Sequence, residues 1–143
     1  MVAQTLYLIG SLPLIILGAM HLVFTLKDRT KPRLIVPRSA EMIKDMQREP
    51  LRLTDETTMW RAWIGFNISH SMAVLLVGLG YFYLTARYFS VIQQDIIFLW
   101  AAPALSCIFA ILSKCFWFSR PLAGSLISTV FFTLGAFASY LRL

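Results

Sequence analysis

No aspartate or glutamate lies within the four long uncharged runs of this 143-residue chain, which are Met1–Leu26, Ala62–Ala86, Ile96–Ser113 and Pro121–Leu141. That absence removes carboxylate-bridged di-metal sites, which need several acids on facing helices. It also argues against proton-coupled transport through a relay of buried acids. Cysteine is scarce, with only Cys107 and Cys115 present. On one helix they would lie about 12 Å apart along the axis, too far to pair with each other. They form no CxxC redox motif, and both read as small packing residues. A basic stretch ahead of the first apolar run is missing, and the run is long, so the N-terminus is not expected to be a cleaved signal peptide. Nor is there the half-to-half similarity that marks many transporters.

What is abundant is apolar surface. Hydrophobic residues make up 58% of the chain, against about 45–50% in a soluble domain. Each run approaches or exceeds the roughly 20 residues that cross a bilayer's hydrocarbon core. The runs are continuous, whereas a membrane β-barrel needs short segments of alternating polarity. Spans are expected at about 4–26, 58–86, 96–117 and 121–141, with one sizeable loop at 27–57. The expected fold is all-α: a single membrane domain over 1–143, built as a four-transmembrane-helix up-down bundle with a short amphipathic helix in the first cytoplasmic loop.

The net charge of +6 is distributed as topology would place it. Nine of the thirteen Lys and Arg lie between Lys27 and Arg61, Lys114 and Arg120 lie between the third and fourth spans, and Arg87 and Arg142 lie on the opposite side. This bias puts the two basic connections in the cytoplasm and both termini outside. Topology accounts for the basic excess without nucleic acid, and membrane lipids with anionic headgroups are expected partners. Tyr7, Tyr81, Tyr83, Tyr88, Tyr140 and Trp100 fall near the expected outer boundary, and Trp60, Trp63 and Trp117 near the inner one, as interfacial belts would have them.

Within the first span, Ser11, Leu14, Gly18 and His21 share a face that should point into the bundle, while Pro13 removes a backbone donor. In the loop, Ser39 is an expected N-cap, Pro37 and Pro50 bracket the segment, and Met42, Ile43 and Met46 share a face. The segment reads either as a helix on the membrane surface or as a solvated helix over the bundle end. Thr54 is expected to open the second membrane helix, with Asp55 and Glu56 in its first turn. Arg87 and Asp95 read as a surface ion pair, and Pro121 as part of the last helix's first turn.

The polar residues within the spans are few: His21, Asn67, Ser69, His70 and Ser71, with Arg61 at the margin. By rise per residue, His21 lies about 9 Å and His70 about 13 Å from the basic end, so the imidazoles share a level. Trp60, Trp63, Asn67, His70 and Val74 fall on one stripe. A polar pocket between the first two spans follows, with Arg61 near its mouth. It has three readings. His21, Asn67 and His70 can bond to one another and lock the helix pair. The pocket can bind an amphipathic ligand such as a lipid headgroup, a quinone or a substrate, with Trp60 and Trp63 as walls and Asn67 and the histidines setting orientation. Or His21 and His70 can ligate a b-type haem whose propionates pair with Arg61 or Lys27. Two histidines cannot complete a zinc site. Ser69-His70-Ser71 is no nucleophile motif, because adjacent helical residues diverge and no acid orients the base.

The run from Thr57 to Ser71, containing Trp60-Arg61-Ala62-Trp63-Ile64-Gly65-Phe66-Asn67-Ile68-Ser69-His70-Ser71, together with Met20-His21-Leu22, resembles a family of small bacterial four-helix membrane proteins of uncharacterised activity. The resemblance implies a bacterial inner membrane and a helical bundle. It implies no activity or cofactor. The expected function is that of a non-enzymatic integral membrane subunit or scaffold, packing against other membrane proteins or as a homo-oligomer. The alternative is a lipid-, quinone- or haem-binding protein centred on His21 and His70.

Overall fold

The computed structural model describes residues 1–141, so Arg142, counted above as an outer cation, lies outside the described residues. The elements in chain order are α1 (Val2–Thr30), α2 (Ala40–Arg48), β1 (Pro50–Leu51), β2 (Thr54–Thr58), α3 (Met59–Gln94), α4 (Ile96–Phe116) and α5 (Ser119–Tyr140). Among the described residues the regular structure is thus helical apart from one antiparallel hairpin. By length and composition α1, α3, α4 and α5 can each cross a membrane, which makes this a multi-pass membrane protein. The chain forms two compact units, Met1–Leu17 with Val74–Leu143, and Gly18–Ala73.

The first unit is organised around aromatic rings. Phe132 lies 5.4 Å from Tyr7 and 5.8 Å from Tyr81, centroid to centroid, and Phe89 meets Tyr7 edge-on at 5.7 Å. Glycines make room for these rings. A Cβ on Gly135 would stand 2.6 Å from the Tyr7 ring, and one on Gly10 would stand 2.9 Å from Phe132. A proline explains the position of the Tyr7 hydroxyl. Pro103 has no N–H, so the carbonyl of Leu99, one turn back on α4, loses its helical partner. The Tyr7 hydroxyl donates to that carbonyl, and a neighbouring helix thereby re-satisfies a backbone group freed by proline. Tyr81 donates to the Phe98 carbonyl at 3.2 Å. Tyr7 and Tyr81 therefore belong to the core and not to the outer belt expected for them, whereas Tyr83, Tyr88 and Tyr140 are exposed.

Four local expectations are corrected. Thr54 does not open the second membrane helix: Thr54–Thr58 form β2, paired with β1 across the Arg52-Leu53 turn. Three β-branched threonines favour the extended form, and the helix begins at Met59, with the Thr58 hydroxyl accepting from the Arg61 N–H at 3.4 Å. The chain does not leave helix at Arg87. It breaks at Tyr88 (φ −140°, ψ 42°) and then continues helical to Gln94, burying Ile92. Asp95 caps α4 through the Ile97 and Phe98 N–H groups at 2.7 and 3.2 Å, in place of the expected ion pair with Arg87. Cys107 and Cys115 are exposed, free thiols and not packing residues. The buried register of α4 runs through Leu99, Pro103, Ser106, Ala110 and Ser113, and neither cysteine falls on it.

The glycines allow a direct test of the packing. Gly135→Ala should lower thermal stability in detergent by about 1–3 kcal/mol, since a ring and a backbone carbonyl both crowd the new methyl. Gly65→Ala meets open space and should be neutral or stabilising by up to about 1 kcal/mol, as helix propensity predicts.

Candidate functional site

The candidate residues fall in the second unit, and the buried stripes of α1 and α3 on which they lie begin or end in the first. On α1 the face predicted from Ser11, Leu14, Gly18 and His21 extends through Thr25 to Asp28, and only His21 among these six is half-exposed. On α3 the buried stripe is Trp60, Ile64, Asn67, Ser71 and Val74. Trp63 and His70, placed on the central line by the sequence spacing, lie at its flank and are half-buried. The two lines differ by one residue at two positions, about 100° around the helix, and both alternate steps of three and four, so the 3.6-residue period is met by either and packing selects between them.

His21 and His70 do meet, with ring centroids 5.7 Å apart and planes at 85°. His70 also stacks on Phe66 at 6.3 Å, nearly parallel. His21 Nε2 lies 3.0 Å from Asn67 Oδ1, and Asn67 Nδ2 donates to the Trp63 carbonyl at 2.8 Å. Because the amide nitrogen is committed to a carbonyl, Oδ1 is the accepting end. His21 Nε2 then carries the proton and donates it. The two serines around His70 are spent on backbone: Ser69 Oγ donates to the Phe66 carbonyl at 2.9 Å and Ser71 Oγ to the Asn67 carbonyl at 2.5 Å.

The polar chain continues into the connection after α1. Trp63 Nε1 donates to the Ile35 carbonyl at 3.0 Å. From the other side, Asp28 Oδ2 accepts from the Ile35 N–H at 2.6 Å, and Oδ1 accepts from the Arg33 and Leu34 N–H groups, both at 2.9 Å. Asp28 is 1% exposed. Three main-chain donors offset the cost of burying its charge. The sequence reading passed over Asp28 because it ended the first span at Leu26, whereas the helix runs one turn further, to Thr30. Two signals could have found it: its place on the His21 face, and its position as the sole acid among five cations.

Arg61, expected at the pocket mouth, is exposed, and its backbone N–H caps the start of α3 on Thr58. Lys27 is exposed as well. Among the described residues no three His, Cys, Asp or Glu side chains come together as a metal site. A cleft of about 130 Å³ lined by Gln93, Gln94, Ile96, Leu99, Ser139 and Tyr140 shares no residue with the histidine cluster. It falls short of the roughly 300 Å³ at which ligand pockets begin.

No protein-family profile, curated protein or solved structure matches the chain. The resemblance carried by Thr57–Ser71 and Met20-His21-Leu22 therefore rests on those residues.

The cluster's energetics can be measured. A double-mutant cycle of His21→Ala and Asn67→Ala should give a coupling of about 0.6–2 kcal/mol in detergent unfolding, the range of interhelical hydrogen bonds. Asp28→Ala should cost more, about 3 kcal/mol, because it orphans three buried N–H groups. It should also open the Arg33–Leu34 peptide bond to trypsin.

Proposed function

We propose that this chain is a non-catalytic integral membrane subunit or scaffold of a bacterial inner membrane, packing against other membrane proteins or against copies of itself. One observation carries the reading. Three of the residues that could have formed a site, His21, Asn67 and Trp63, are bonded inside the second unit, as His21 to Asn67, Asn67 to Trp63, Trp63 to Ile35, and Ile35 to Asp28. A ligand would have to displace bonds that hold the unit together. The same chain of bonds argues against His21 as a haem ligand through Nε2, and against Trp63 as a plain apolar wall.

Partner packing is supported by the surface the helices leave. Within their most apolar stretches only 28% of α1 and α3, and 33% of α4 and α5, is buried in the chain. Gly65 and Gly80 on α3 face open space, which would let another backbone approach. In this reading the helices form an up-down bundle, the basic connection between α1 and α3 is cytoplasmic, and both termini are outside. α2, capped by Ser39 and without a buried residue, lies along the bilayer interface through Met42, Ile43 and Met46.

Light scattering of the purified, detergent-solubilised protein tests this. The protein mass should be a multiple of 16.3 kDa or that of a stable complex, and a strict monomer that co-purifies with nothing overturns the reading. An absorption spectrum of the same sample should show no Soret band. A band abolished by either His21→Ala or His70→Ala would establish the haem reading in its place. With Cys107→Ala and Cys115→Ala removing the two native thiols, Arg38→Cys should be labelled by an impermeant maleimide only after the inner membrane is opened. Labelling of intact spheroplasts would reverse the topology.

A further inference from the structure

The cations between α1 and α3 are unevenly placed. Residues 27–38 hold five, Lys27, Arg29, Lys31, Arg33 and Arg38, with one acid, Asp28. Residues 39–61 hold four cations and five acids, so α2 and the hairpin carry no positive excess. All five cations of the first segment are exposed. Their one acid is not spent on ion pairs with their side chains: its carboxylate is buried and accepts from the Arg33, Leu34 and Ile35 N–H groups. Those same bonds fix the backbone that carries Arg33, and Trp63 holds Ile35 from its carbonyl side.

Membrane insertion accounts for cations near the end of a span. It does not account for an acid among them being withdrawn into the interior, or for the segment being tied down instead of left as a tail. Beside Arg33, Leu34 is 55% exposed, which sets a large apolar side chain next to the fixed charges. A cationic rim at the end of an apolar helix, with a projecting leucine, matches an anionic phospholipid. The phosphate meets Lys and Arg, and the leucine meets the acyl region.

We infer that Lys27–Arg38 is a binding site for anionic phospholipid headgroups, held in shape by Asp28 and Trp63. The inference rests on the membrane-subunit reading only in placing α1 in a bilayer. Its test needs no protein partner, so it can fail while that reading stands.

The full-length protein in detergent is titrated with phosphatidylglycerol or phosphatidylcholine of the same acyl chains, and retained lipid is counted by native mass spectrometry. Phosphatidylglycerol should be retained preferentially. The triple variant Lys31→Gln, Arg33→Gln, Arg38→Gln should lose that preference by about fivefold or more, since one cation near an anionic surface contributes a factor of about five. Lys44→Gln, Arg48→Gln, Arg52→Gln makes the same change in charge and should leave the preference intact. Asp28→Asn removes a negative charge, raising the net charge by one, yet should weaken retention, because it loosens the segment. Tighter binding there would mean that bulk charge alone attracts the lipid, and would overturn the site. Equal losses in the two triple variants, or equal retention of the two lipids, would overturn it too, even where Asp28→Asn fails to fold. Excess inorganic phosphate should leave bound phosphatidylglycerol in place, and displacement would assign the cations to free phosphate instead.

Discussion

In an apolar solvent a carbonyl or amide has no partner except the chain itself, and this requirement arranges the polar groups of the four long helices. Ser11, Thr25, Ser106 and Thr129 each return their hydroxyl to a carbonyl one turn back. The Leu99 carbonyl, freed by Pro103, is met by Tyr7 from another helix. Asn67 spends its amide on its own helix and its carbonyl on His21. Polar side chains at these positions are therefore structural parts before they are reagents. The buried hydroxyls of Thr85, Ser113 and Ser128 depart from the pattern, since none has a hydrogen-bond partner.

Asp28 answers the same requirement under a heavier load. A carboxylate near the C-terminal end of a helix faces the negative pole of the dipole, and burial adds a desolvation cost. Three consecutive main-chain donors offset both. What would otherwise be a loose basic tail becomes a fixed feature joined through Ile35 and Trp63 to the His21–Asn67 contact. The second unit thus links its helical contact to the shape of its exposed, charged segment.

Local signals misled where two elements compete for the same residues. Thr54-Asp55-Glu56 has the composition of a helix start, and it lies in a strand because Pro50-Leu51 offers it a partner. Tyr7 and Tyr81 have the positions of belt residues, but Gly10 and Gly135 open a space that their rings and Phe132 fill. Asp95 has an opposite charge nearby in sequence, but the first N–H groups of α4 are closer and need an acceptor.

That the chain holds four helices long and apolar enough to cross a membrane was legible in its sequence, because transfer to lipid depends on composition summed over a helix's length and needs no knowledge of neighbours. So were the shared level of His21 and His70, which follows from rise per residue, and the Ser39 cap on α2, which is a contact within one turn. Which nitrogen of His21 is bonded, which carbonyl receives Trp63, and which aromatic rings are core were decided by tertiary structure alone. Each depends on atoms brought together from distant parts of the chain, and a hydrogen bond or ring contact is set by distances of a few ångströms that periodicity does not specify.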